Sequence, residues 1–328
     1  MIRRLLLTLL IGLTAAPSML LAAEQPADEA LLFTSFRGNG EDGLRLAYSE
    51  DGYHWTDIPG TFLKPNAGSG LMRDPSLARG PDGTFHLVWT TAWRGDNGFG
   101  HASSKDLIHW SDQQFVPVME HEPTTVNVWA PELFYDGRNK QFVILWASTI
   151  PGRFPDHQEE TNNNHRMYST TTKDFREFAP TELFLDPDFS VIDCTIVRRG
   201  EQDYVLVLKS NTRPERKLRV AFGDNPLGPW HDMSPPFTKH LTEGPTVARV
   251  GNDWLIYYDS YGDGTYGAAR TRDFKTFEDV SDQITLPEGH KHGTICPVPR
   301  SQLDVLLKHA QAAAASAPSD SSAAQDSP

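Results

Sequence analysis

The sequence predicts an all-β fold, a five-bladed β-propeller with one blade closed by strands from both termini. Three observations predict it. A phrase ending in an aromatic residue recurs five times, paired strand-like runs precede its copies, and the two ends of the domain each carry a strand lacking its neighbour. The phrase occupies residues 47–55 (AYSEDGYHW), 102–110 (ASSKDLIHW) and 169–178 (STTTKDFREF), with weaker copies at 221–230 and 269–277. A recurrence of about 50 to 70 residues suits a four-stranded sheet with its turns, which is the propeller unit.

The elements follow in chain order. Residues 31–36 supply the second (B) strand of the first copy, with no inner (A) strand before it. Residues 75–79 and 84–91 form a hairpin about Pro81-Asp82-Gly83, and residues 131–135 and 141–146 form another about Asp136-Gly137. Residues 194–198 and 204–208 pair across Gly200, and residues 245–249 and 254–258 across Gly251-Asn252. Aromatic and β-branched runs bounded by such turns are hairpin signals. Residues 293–298 form a last A strand with nothing following. Joined to residues 31–36, they complete the fifth blade and remove an open sheet edge.

Composition agrees. The 328 residues include 24 Pro and 25 Gly, and 10% are aromatic, the mixture of many short strands joined by turns. A formal net charge of −13 argues against a nucleic-acid partner. Arg3-Arg4, an apolar run over 5–21 and small Ala22-Ala23 make residues 1–23 a signal peptide. Export to the periplasm or secretion follows, with no stable membrane anchor. Residues 24–300 are expected to form the propeller, and 301–328 a short C-terminal segment ending in a disordered Ala/Ser-rich tail from 309 onward. Cys194 and Cys296 fall on non-adjacent A strands, beyond the roughly 7 Å reach of a disulfide, so two free thiols are expected.

Topology then places side chains. In a propeller the A strands line the axis and start on one face, where the B–C loops also open. The turns carrying the phrase face the other way, so its Asp and aromatic residues are expected to cap turns and pack blades. The residues opening the A strands are Asp74, Glu132, Asp193, Glu243 and His292. Crowded, buried carboxyls raise one another's pKa and keep at least one proton. A poised acid beside an ionised base is what glycosidic hydrolysis requires.

With these residues in this order, the chain resembles glycoside hydrolase family 43 over roughly residues 31–300. The family pattern is Asp-Pro at the first A strand, Ala-Pro-acid at the second, Asp at the third, Glu before a Pro at the fourth and His near the last. The resemblance implies that Asp74 is the general base and Glu243 the general acid, and that Asp193 raises the pKa of the acid and orients it. It implies single displacement with inversion, for which the two carboxyls stand roughly 6.5–9.5 Å apart. No cofactor is required. Many members hold a central cation such as calcium, which gives His292 two readings: a water-mediated ligand of a structural calcium at the axis, or a hydrogen-bonding member of the carboxylate cluster. Glu132 stands where Asp is commoner and Cys194 where Pro is frequent, and both departures leave the subfamily open.

Trp93, Trp129, Glu132 and His292 are the candidate substrate-binding residues, with inter-blade packing as the alternative for the two indoles. The long loop 151–165 is expected to overhang the active face and narrow it to an exo-acting pocket. The expected activity is removal of terminal sugars such as arabinofuranose from plant-type polysaccharides or oligosaccharides. A β-xylosidase, a galactofuranosidase or galactanase, and a non-catalytic carbohydrate-binding propeller are the alternatives. A retaining fructosidase-like propeller shares Arg73-Asp74-Pro75, but its upstream Asn-Asp-Pro and later Glu-Cys motifs are absent from the sequence.

Overall fold

Five antiparallel sheets surround one axis in the structure, a computed structural model that describes residues 28–155 and 163–316. The chain begins with β1 (Glu29–Ser35), β2 (Leu44–Ser49) and β3 (Trp55–Leu63). Blade 1 follows as β4 (Arg73–Arg79), β5 (Phe85–Thr90), β6 (Phe99–Ser104) and β7 (Gln114–Val116). Blade 2 contains β8 (Trp129–Asp136), β9 (Gln141–Ser148), β10 (Arg166–Thr172) and β11 (Glu182–Leu185). Blade 3 contains β12 (Val191–Gly200), β13 (Asp203–Ser210) and β14 (Lys217–Gly223). Blade 4 contains β15 (Glu243–Val250), β16 (Asp253–Ser260), β17 (Thr265–Thr271) and β18 (Glu278–Asp279). Finally β19 (Ile295–Pro299) pairs with β1, Cys296 opposite Leu32, and closes the split blade from both ends as the sequence predicts.

The B strands β5, β9, β13 and β16 lie second from the axis and are buried on both faces between neighbouring sheets. That is why they read as continuous apolar runs such as FVILW in β9 and YVLVL in β13. Trp89, Trp146 and Tyr257 are sealed there, each contributing on the order of 1.5–3 kcal/mol or more through burial.

The recurring phrase is a turn device. Hydroxyls of Ser49, Ser104, Thr172 and Thr271 accept the amide N–H groups two and three residues on. The carboxylates of Asp51, Asp106, Asp174 and Asp273 accept the next two. The residue after each Asp is left-handed: Gly52 (φ 80°), Leu107 (61°), Phe175 (57°) and Phe274 (58°). At Gly52 a Cβ would also lie 2.6 Å from Val250 Cγ2, so glycine fits there on both counts.

Two expectations need correction. Blade 3 lacks a regular fourth strand. Its outer edge keeps a single bridge, Phe222 with His231, and isolated bonds from the Ser234 and Phe237 amides, because Pro235 and Pro236 have no N–H to donate. The tail predicted as disordered from residue 309 is instead helical through Ser316. Helix α1 (Arg300–Ser316) buries Leu303, Leu306 and Ala310 on Phe62, Ala67 and Leu107, across the split blade and blade 1. Alanine is the best helix former, and the i, i+3, i+7 spacing of these residues supplies one apolar stripe. Arg300 anchors the helix start through its amide to the Asp28 carbonyl and its guanidinium to Glu50.

Cys194 and Cys296 are free, and burial pushes both thiols upward, that of Cys296 to about 12. The signal peptide expected at 1–23, residues 156–162 of the long loop and residues 317–328 of the tail lie outside the described residues. Among the described residues no helix is long and apolar enough to cross a membrane.

Candidate active site

Each complete inner strand opens with a β-bulge, two of its residues facing one on the B strand. The bulges lie between Arg73 and Ser76, Trp129 and Glu132, Ile192 and Thr195, and Glu243 and Thr246. The first bulged residue is left-handed in all four: Asp74 (φ 51°), Ala130 (46°), Asp193 (52°) and Gly244 (58°). Bulges of this kind re-aim side chains, and Asp tolerates the left-handed region better than most residues. In the split blade Lys291 bridges Phe36, which gives His292 the corresponding place.

The five candidate residues therefore stand at three levels along the axis. Glu243 is outermost, level with Arg73, Trp129, Ile192 and Lys291. Asp74, Asp193 and His292 form the middle level. Glu132 lies two residues deeper, level with Ser76, Thr195, Thr246 and Thr294.

In the middle level, His292 Nδ1 lies 3.1 Å from Asp74 Oδ1, and the Thr90 hydroxyl donates to Asp74 Oδ2 at 2.9 Å. Burial opposes ionisation of Asp74, but His292, Arg73 and Thr90 together hold its carboxyl below the usual range. Burial would also discharge His292. The carboxylates of Asp193, Asp74 and Glu243 reverse that and raise it to about 10, so it is an imidazolium at neutral pH. Its ring covers Gly244, where a Cβ would lie 2.5 Å from ring carbons. Asp193 Oδ2 accepts the Gly244 N–H at 3.1 Å and so fixes the backbone next to Glu243. Burial pushes the Asp193 carboxyl up; His292 and Lys209 oppose this, and Glu243 and Asp74 add to it.

Glu243 is the open member of the group, its side chain 32% exposed against 12% for Asp74. Its Oε2 accepts a 2.6 Å bond from Lys209 Nζ, a buried ammonium at the end of β13. Burial disfavours that charge, but Glu243, Asp193 and Tyr261 outweigh it and raise the Lys209 pKa. Glu132 belongs to a hydroxyl ring instead. Thr195 donates to Oε1 at 2.7 Å and Thr294 to Oε2 at 3.1 Å, while burial pushes its carboxyl up.

Trp93 is 51% exposed on the active face, and its ring lies 4.9 Å from that of Trp129. Trp129 also stacks on His165 at 5.0 Å and donates from Nε1 to the Trp93 carbonyl at 2.8 Å. Arg73 lies over both Trp93 and Phe36. Of the two indoles, Trp93 presents the open surface and Trp129 braces it.

Of the two readings of His292, the hydrogen-bonded one is seen directly: its Nδ1 is engaged by Asp74 within the carboxylate cluster. Among the described residues, no three His, Cys, Asp or Glu side chains converge in a way that could hold a metal ion.

Sequence reasoning missed Thr90, Lys209 and Asp259, which pair with Arg73, Ile192 and Glu243 at the ends of their B strands. The signal was present: each is a polar residue closing a buried apolar run at the end nearest the axis mouth.

The inner-strand openings thus set an imidazolium-paired carboxylate below an accessible one at the mouth of the propeller. The model of a glycoside hydrolase 43-related family, described as "Probable glycosyl hydrolase domain", matches residues 27–304, and the chain belongs to that family. Among solved structures, an α-L-arabinanase from Cellvibrio cellulosa, complexed with arabinohexaose, is similar with a TM-score of 0.54 at 14% identity, covering 82% of this chain and 96% of that one. An α-L-arabinofuranosidase from Clostridium thermocellum matches with a TM-score of 0.52 at 14% identity, covering 73% and 83%. A Hadza microbial sialidase matches with a TM-score of 0.52 at 14% identity, covering 83% and 73%. At such identities the likeness is one of fold. No curated protein matches the sequence.

Proposed function

We propose that the protein is an exported, exo-acting, inverting glycosidase that removes terminal sugars such as α-L-arabinofuranose from plant-type polysaccharides or oligosaccharides. The observation that carries this reading is the division of labour between levels. Asp74 is held ionised below an open Glu243, as a general base and a general acid require. In this reading Asp74 takes a proton from water as the water oxygen bonds to the anomeric carbon. The glycosidic bond breaks, and its oxygen leaves with the proton of Glu243. Asp193 holds the acid in place through the Gly244 amide. Trp93 offers an apolar face to a sugar ring.

The 2.6 Å bond from Lys209 to Glu243 favours a second reading, because it stabilises the carboxylate form of the intended acid. A sugar-binding propeller without turnover would keep such a pair. Hydrolysis of 4-nitrophenyl arabinofuranosides, xylosides and galactofuranosides by wild type and Glu243→Gln distinguishes the two. Turnover by wild type that falls in the variant supports the glycosidase, and proton NMR should show the inverted anomer appearing first. Binding without turnover of any glycoside supports the second reading.

A further inference from the structure

Glu243 and Asp259 face each other directly across the β15–β16 ladder at the mouth of the axis. Side chains so paired share one face of the sheet with Cβ atoms about 5 Å apart, and like charges there repel. On the far side of Asp259, Tyr266 of β17 is its ladder partner, which sets an acid, an acid and a phenol in one row. The Tyr266 hydroxyl is buried without a hydrogen-bond partner among the described residues. Lys209 engages Glu243, whereas no hydrogen bond or ion pair among the described residues engages the Asp259 carboxyl. The charged groups around Asp259 are Glu243, His292, Lys291 and Lys209, together with the Tyr266 phenol. Burial, with Glu243 adding and the three cations opposing, brings the Asp259 carboxyl to about 6.

We propose that Asp259 is a positioning residue for the catalytic proton: facing Glu243, it keeps on the carboxyl pair the proton that Lys209 would otherwise drive off. The proposal rests on Glu243 being the leaving-group acid. Two carboxyls facing each other across a ladder disfavour double ionisation, so the pair keeps a proton more readily than either carboxyl alone, and Asp259 is the member pushed up. When the glycosidic bond breaks, the proton passes from Glu243 to the leaving oxygen and the pair is left doubly ionised beside Lys209. Asp74 holds the proton taken from water. Its release to solvent, and uptake of one proton by the pair, restores the starting state.

Asp259→Asn removes the charge and keeps the shape. With aryl glycosides of poor leaving groups, the basic limb of its kcat/KM–pH profile should move down by about one pH unit, since Glu243 loses its proton sooner. A dinitrophenyl glycoside, which needs no acid, should be hydrolysed at the wild-type rate. Lys209→Gln should move the limb the opposite way. A folded Asp259→Asn variant with an unmoved limb overturns the proposal. Carboxyl carbon-13 NMR reads the same pair without turnover: coupled two-step titrations of Glu243 and Asp259 are expected, with a single, lower Glu243 step in Asp259→Asn. Independent titrations overturn the proposal. Coupled titrations in a protein that hydrolyses no glycoside would defeat the functional reading and leave the shared proton standing.

Discussion

His292 places its Nδ1 3.1 Å from the Oδ1 of Asp74, and the resulting ion pair sits at the centre of the propeller mouth. Burial works against the Asp74 carboxylate, and the imidazolium is the largest influence overcoming it. The space for the ring comes from Gly244, whose missing Cβ would otherwise meet it.

Replacing His292 with Gln removes that positive charge. The Asp74 pKa then rises, so the base becomes protonated at higher pH than in wild type. The acid limb of kcat/KM should shift upward by about one pH unit or more, while melting at neutral pH shows whether the variant is folded. An acid limb that stays in place would show that His292 does not set the ionisation of Asp74.

Stability should fall on the acid side through buried histidines, most of them away from the axis mouth. His101 and His86 lie 3.2 Å apart in an aromatic stack with Phe175. Burial lowers them to about 3 and about 4, with the neighbouring histidine also disfavouring charge on His101. Buried His165 is likewise lowered to about 3. The unfolded chain takes up these protons near 6.5 and the native state does not, so stability is full above that pH and declines as pH falls from 6.5 towards 4. Each such histidine costs up to about 1.4 kcal/mol per pH unit across that window. Urea midpoints measured from pH 7 to 4 should show this slope, and His101→Gln should flatten it.

The C-terminal helix should be worth measurable stability. Leu306 is fully buried on the cluster shared by the split blade and blade 1. Leu306→Ala should cost about 2–4 kcal/mol in urea unfolding and leave kcat unchanged, since among the described residues the helix packs on β1, β3 and β19 and not on the side chains of the mouth. A variant as stable as wild type would mean that the helix does not lock the ring closure.

Sequence periodicity reached the ring itself, because turn chemistry and hairpins repeat wherever a blade repeats. The split blade followed from residues 31–36 and 293–298 lacking partners. The levels at the mouth were not legible, since they depend on four bulges whose left-handed residues include Ala130 as well as Asp74, Asp193 and Gly244. Nothing in the residue type of Ala130 signals that conformation. Lys209 and Asp259 lie one residue beyond the apolar runs 204–208 and 254–258, so the strand pattern alone does not single them out. Helix α1 was hidden by composition: alanine and serine suggested a tail, although Leu303, Leu306 and Ala310 already had helical spacing. Prolines 235 and 236 carry the signal for the missing strand of blade 3, since neither can donate to a ladder.

The division of roles between Asp74 and Glu243 is tested most directly by the rate of Asp74→Asn on a glycoside that wild type hydrolyses. The asparagine keeps the Thr90 contact and cannot accept the proton of the attacking water. The expected result is a fall in kcat of about 10²–10⁴-fold in a variant that remains folded. A folded Asp74→Asn enzyme working within about threefold of wild type would contradict the assignment, because general-base catalysis is worth far more than that.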